Sequence, residues 1–262
     1  MSQPSFDRFR ISWFLTACLC MCVITTAQAK ELTCYSTEFP PYVTSKNNAI
    51  SGIDVDILAD AARRAGIVIQ FKLLPWVRLE NELKRGAASE VDCAFSFSKN
   101  VSRQSYMDFT STPIKSTHYV LFAKKGVFTA SAGLAQMKGK RIGLRRGFIV
   151  SSAFEDMRTA RELVVEEIDS DEANFIKLEK GRIDGVIASA DSGYTMVSPS
   201  QRAAIVSIEL GIPQTPTYVV FNKEKNLAGE KKSLNKALRD TIADGSAKKI
   251  RDKYLQMPLE AH

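Results

Sequence analysis

Histidine is nearly missing from this chain. Its 262 residues hold two, His118 and the terminal His262, which excludes His-rich metal centres and histidine-based nucleophile triads. Cysteine is almost as sparse: Cys18, Cys20 and Cys22 lie close to the N-terminus, leaving Cys34 and Cys93 further on. Two cysteines exclude a disulfide-stapled scaffold, and a bridge and a pair of buried thiols are equally fair readings of them. Outside Ile11 to Ile24 no stretch approaches the apolar length of a membrane span. Basic residues are numerous but scattered, without the interleaved aromatics of a nucleic-acid-binding stripe, so no nucleic-acid partner is expected.

What is there begins with an export signal. Arg8 and Arg10 precede the apolar run, and Ala27-Gln28-Ala29 fits a small-x-small cleavage site, so residues 1–29 read as a signal peptide cleaved near Ala29. The chain is then periplasmic from Lys30 on. A competing reading takes Leu15-Thr16-Ala17-Cys18 as a lipoprotein box with the lipid on Cys18, but very few residues separate it from Arg10. Losing Asp7, Arg8 and Arg10 lowers the net charge from +7 to +6, a balance that suits an anionic ligand or plain solubility. The 233 residues that remain suit one large domain or two lobes.

Strands and helices alternate along them. Leu32 to Ser36 reads as a strand stopped by Phe39-Pro40-Pro41-Tyr42, and Gly52-Ile53-Asp54 opens a helix that Asp54 can cap. Val68 to Leu73 alternates as a strand, Trp76, Leu79 and Leu83 share one helical face, and Val91 to Phe97 is a buried strand. A second such run follows Lys124-Lys125-Gly126, with Ser152 and Glu155 spaced as a capping box and Ile183 to Ala188 as a buried strand. Extended segments at Thr117 to Ala123 and Ile212 to Phe221 join the two runs. The pattern predicts parallel sheets covered by helices, in two lobes with two extended crossings, and C-terminal helices that return to the first lobe. The expected boundaries are 30–118 plus 219–262 for lobe 1 and 119–218, crossings included, for lobe 2.

Such sheets bind ligands beyond the carboxyl ends of their strands, where Phe39, Trp76 and the segment from Ser96 to Arg103 fall. Small hydroxyls at a strand's end with an arginine a few residues on suit a carboxylate: backbone N–H groups and hydroxyls donate, and the guanidinium forks onto both oxygens.

Taken together, Phe-Pro-Pro-Tyr at 39–42, Gly-Ile-Asp-Val-Asp at 52–56, Pro-Trp-Val-Arg at 75–78, Ser-x-Ser-x-x-x-x-Arg at 96–103, Asp-Phe-Thr-Ser-Thr-Pro at 108–113 and Gly-Arg-Ile-Asp at 181–184 resemble family 3 periplasmic solute-binding proteins of the polar amino-acid type, in a Pro-Trp-x-Arg variant. The resemblance implies the two-lobed, type II periplasmic binding protein fold with a double hinge. It implies a carboxylate-bearing ligand, a membrane permease of an ABC transporter as partner, no cofactor, no metal and a monomer. It places Phe39 and Trp76 as an aromatic sandwich and Arg103, Ser96 and Ser98 as the carboxylate clamp, with Arg78 as a second cation. The second lobe departs from the pattern: Phe148 and Ile149 follow Gly147 where small hydroxyls are usual, and Ser189 stands where an acid pairs the ligand's ammonium. Asp191 could substitute for that acid, and Arg145 could add an anion contact. The competing readings are a dehydratase-like enzyme on the same scaffold, with Glu38, Asp191 or His118 as acid or base, and a sensory binding module acting through a separate chain.

Overall fold

The structure is a computed structural model that describes residues 30–129, 133–198, 201 and 203–256. The expected signal peptide and the Cys18 box lie outside those residues. β1 (Lys30–Ser36) leads through the cis Pro40–Pro41 turn and a small hairpin, β2 (Thr44–Lys46) and β3 (Ala49–Ser51), into α1 (Ile53–Ala65). β4 (Ile67–Leu73), α2 (Trp76–Lys84) and β5 (Cys93–Ser98) follow, then the short α3 (Val101–Gln104), β6 (Met107–Phe109) and β7 (Lys115–Thr117). The next run comprises β8 (Tyr119–Lys124), β9 (Arg141–Arg145), α4 (Ser152–Thr159), β10 (Val164–Ile168), α5 (Asp171–Glu179), β11 (Gly185–Ser189), α6 (Ala190–Met196) and β12 (Ile205–Glu209). β13 (Thr215–Asn222), α7 (Ala228–Ala243) and α8 (Ser246–Gln256) end it.

Two sheets result. The first runs β4-β1-β5-β13-β6, with β7 also on β13; the second runs β10-β9-β11-β8-β12. In each, three strands are parallel (β4, β1, β5 and β10, β9, β11), and β13 and β8 pair antiparallel with their neighbours. The fold is α/β and two-lobed, with a mixed sheet at the heart of each lobe. One residue, His118, separates β7 in the first sheet from β8 in the second, and the return runs from Glu209 to Thr215. His118 Nε2 lies 2.8 Å from Glu209 Oε2, joining the two crossings at the surface. β13 pairs with the first sheet from Thr215, ahead of the expected boundary at 219.

Each sheet is packed on both faces. Leu32, Phe95, Val219 and Phe221 meet Leu58 of α1 and Leu234 and Leu238 of α7 on one face of the first sheet; Phe97 and Val220 meet Leu79 and Leu83 of α2 on the other. Ile250 and Tyr254 of α8 join the α1 side, so the C-terminal helices do return to the first sheet. Cys34 and Cys93 are register partners on the adjacent parallel strands β1 and β5 and are joined as a disulfide.

Two expected caps are corrected. The N-cap of α1 is Gly52, whose φ of 130° suits glycine and where a Cβ would come within 2.4 Å of the Tyr42 carbonyl oxygen. Asp54 instead turns inward and is fully buried. The N-cap of α4 is Ser151, whose Oγ accepts from the Phe154 N–H at 3.2 Å, one residue before the expected Ser152.

Candidate functional site

A small cavity lies between the sheets, with room for about one water molecule. Its first-lobe wall is built from the exits of β1 and β5 and the start of α2: Ser36, Thr37, Phe39, Trp76, Ser96, Ser98 and Arg103. Tyr119, Gly147 and Phe148 close it from the second lobe, and Thr117 and Thr217 border it near the crossings. Strand ends and the loops just beyond them deliver the first-lobe residues except two: Arg103, on α3, and Trp76, which opens α2 behind Pro75, a residue whose fixed φ ends the preceding extended segment.

Arg103 is 2% exposed, on the short α3 that Asn100 caps by accepting the Arg103 N–H at 2.7 Å. Its Nε donates to Glu80 Oε1 at 2.9 Å, and its Nη1 donates to Ser98 Oγ at 2.7 Å and to the Ser98 carbonyl at 3.2 Å. Nη2 crosses the cleft and donates to the Gly147 carbonyl at 3.1 Å. Burial raises the Glu80 pKa, but the Arg103 hydrogen bond and charge outweigh it and hold this carboxyl below its ordinary value.

Phe148 occupies the slot between the two aromatic faces. Its ring centroid is 5.3 Å from Phe39 and 5.4 Å from Trp76, edge-on to both, while Trp76 stacks on Phe97 at 4.2 Å. Gly147 lets the loop come this close: its φ is +77°, and a Cβ there would lie 2.6 Å from Trp76 Cδ1. Phe148, where the resemblance implies a small hydroxyl, thus fills the space that the aromatic pair encloses.

Ser96 has φ +69°, a left-handed conformation, where the β5–β13 pairing shifts between Tyr218 and Val220. This bulge re-aims the strand end. Ser96 Oγ donates to Asp54 Oδ2, and buried Lys115 pairs with the same oxygen. Lys115 Nζ also lies 3.8 Å from the Tyr42 ring centroid. Burial pulls the Lys115 ammonium down from its ordinary pKa despite Asp54. Asp54 and Lys115 do not line the cavity but stand behind Ser96; a buried aspartate that needs a lysine from a distant strand leaves no local pattern in the sequence.

Arg145 is 7% exposed at the end of β9, behind Thr37 and Phe148. Its Nη2 donates to Thr37 Oγ1 at 3.1 Å, its Nη1 is 3.8 Å from Asp171 Oδ2, and its guanidinium lies 5.3 Å from the Phe148 ring centroid. Its Nε has no hydrogen-bond partner, and the same holds for Trp76 Nε1, Thr117 Oγ1 and Asp54 Oδ1. Burial lowers the Arg145 pKa and pushes the Asp171 carboxyl up to about 6.

The remaining sequence-nominated residues lie elsewhere. Arg78 is exposed and does not line the cavity, because it sits on the side of α2 opposite Trp76 and Leu79. Ser189 is fully buried, and its Oγ caps α6 by accepting from the Ser192 N–H at 3.1 Å. Asp191 accepts from Tyr42 Oη at 2.8 Å and from Arg251 Nη2 at 2.9 Å, linking α6 to the β1 exit and to α8. Glu38 is exposed, and neither it nor His118 lines the cavity.

The family model for bacterial extracellular solute-binding proteins, family 3, matches residues 32–257. The chain is similar to ABC transporter arginine-binding protein 1 of Escherichia coli (strain K12), 27% identical over 223 residues that cover 84% of this chain and 88% of that protein. It also resembles the arginine-binding extracellular protein ArtP of Bacillus subtilis (strain 168), 23% identical over 230 residues, 84% of this chain and 83% of the relative. Among solved structures, an ancestral arginine-binding protein bound to arginine superposes with a TM-score of 0.73 at 22% identity, over 86% of this chain and 97% of that one.

Proposed function

The chain belongs to the bacterial extracellular solute-binding proteins of family 3, and on that premise we propose that its cleft captures a small carboxylate-bearing ligand, an amino acid or a related compound, and presents it to the membrane permease of an ABC transporter. One observation carries this reading: Arg103, buried at the cavity, has a guanidinium edge turned across the cleft onto a backbone carbonyl. A ligand carboxylate is a stronger, charge-assisted acceptor than the Gly147 carbonyl and would take its place. Ser98 orients the fork, Ser96 lies beside it, and Phe39 and Trp76 supply the apolar faces that bury the rest of the ligand.

The lobes divide at His118 and between Glu209 and Thr215, and closure about those crossings sequesters the ligand. The protein works as a periplasmic monomer after removal of residues 1–29, with Arg145 as a second cationic wall. It is a binder rather than an enzyme, since the buried and half-buried acids around the cleft are engaged in structural pairs and exposed Glu38 does not line the cavity. The test is calorimetry on Arg103→Ala. The expected outcome is loss of ligand heat with the folded spectrum retained; tight binding by the variant would remove Arg103 from its role. The variant is also expected to lose some stability, because Glu80 keeps only the Tyr106 hydroxyl, at 2.9 Å.

A further inference from the structure

We propose that the acid captured in this cleft carries no ammonium group, an inference that rests on the carboxylate-capture reading above. An ammonium taken out of water needs a carboxylate or several carbonyls around it, because its hydrogens all donate and its charge is unscreened. Among the described residues no carboxylate lines the cavity. Arg103 is the one charged side chain of its lining, and the other lining side chains are hydroxyls and aromatic rings. The Ser98 carbonyl already accepts from Arg103, and the Gly147 carbonyl that a ligand carboxylate would release from Arg103 is one acceptor where an ammonium needs several.

Carboxylates do surround the cleft, but the buried and half-buried ones are taken, and Glu38 stands exposed in water outside the cavity. Glu80 holds Arg103 and Tyr106, Asp191 holds Tyr42 and Arg251, and Asp171 faces Arg145. Asp54 binds Ser96 and Lys115 through Oδ2, while its Oδ1 is a buried acceptor with no partner. That oxygen does not rescue an ammonium site. Lys115 already balances the Asp54 charge, so a ligand ammonium there would stand beside a second cation in a poorly screened setting.

The other unpartnered atoms favour the opposite kind of ligand. Trp76 Nε1 and Thr117 Oγ1 belong to cavity-lining residues, and Arg145 Nε is buried behind Thr37. Indole and guanidinium N–H groups donate only, and a threonine hydroxyl can donate. A lining rich in donors, backed by a second buried guanidinium, with its acids already neutralised, recognises acceptor oxygens.

The test is calorimetry of the purified protein with three pairs of acids that differ only by the α-amino group. These are L-glutamate and glutarate, L-phenylalanine and 3-phenylpropanoate, and L-arginine and 5-guanidinopentanoate. In each pair that binds, the acid without the amine is expected to bind at least about ten-fold more tightly, and Arg103→Ala is expected to abolish its heat. If the amino acid of such a pair binds as tightly or more tightly, this inference falls and carboxylate capture stands. If no acid of either kind binds, or if Arg103→Ala leaves the heat unchanged, carboxylate capture by Arg103 falls and takes the inference with it.

Discussion

Replacing Phe148 with alanine should open the aromatic slot. The ring makes two edge-on contacts, with Phe39 at 5.3 Å and Trp76 at 5.4 Å, and lies 5.3 Å from the Arg145 guanidinium. Aromatic pairs of this kind contribute about 0.5–1.5 kcal/mol each beyond area burial, and a partly exposed cation–π contact about 0.5–1 kcal/mol. Together they hold the Phe148 loop in the cleft by roughly 1.5 kcal/mol at the low end. A ligand that enters between Phe39 and Trp76 must first displace that ring, so its apparent Kd carries the same term. Removing the ring should tighten binding by at least about ten-fold. The stability cost should be smaller, about 1–2 kcal/mol, because Phe148 is half-buried and the full loss of about 3–5 kcal/mol applies to enclosed phenylalanines. Calorimetry on wild type and Phe148→Ala with glutarate and 3-phenylpropanoate, paired with urea unfolding, reads both quantities. Unchanged affinity would mean the ring does not compete for the slot. Weaker binding would make Phe148 a ligand contact, and either result refutes the displacement argument.

Two other expectations concern the frame around the site. The Cys34–Cys93 bridge spans a sequence separation of 59, for which loop-closure entropy gives about 4 kcal/mol. Urea unfolding with and without reductant should show a loss of that order, and a loss below about 1 kcal/mol would refute it. Asp171, raised to about 6 from 3.8, keeps its proton in the folded chain where the unfolded chain has lost it, so stability falls as pH rises through that window. The fall should reach about 2 kcal/mol between pH 4 and 7. Asp171→Asn should lack that component, and a wild-type-minus-variant difference that stays flat across the window would show that burial does not set the titration. Losing the partner of Arg145 shifts the curve without supplying this slope.

Much of this architecture was legible in the residues, for reasons that can be named. Alternation around Phe95 and Phe97 marks β5, and the spacing of Trp76, Leu79 and Leu83 marks the buried face of α2. That same spacing puts Arg78 on the solvent side, against the cleft position that the Pro-Trp-x-Arg motif implies. Asp54 illustrates the opposite case. An aspartate near a helix start reads as a cap, and only the tertiary arrival of Lys115 and Ser96 turns it inward. Ser189 and Asp191 lie in a recognisable place, yet Tyr42 and Arg251, distant in sequence, decide that Asp191 clasps rather than faces the cavity. The disulfide stayed open because adjacency of β1 and β5 is a property of the sheet and not of the spacing. Phe148 was visible as an anomaly after Gly147; that its ring lies between Phe39 and Trp76 required the loop's path.

A single residue between β7 and β8, answered by a short return from Glu209 to Thr215, leaves the chain few torsions in which to store a change of shape. Whatever happens between the lobes is therefore expressed as a rotation of one whole body against the other. An event inside a cavity the size of a water molecule becomes a change of outline across the outer faces of both lobes. A receptor that touches only those faces can tell a loaded protein from an empty one without any contact with what it carries.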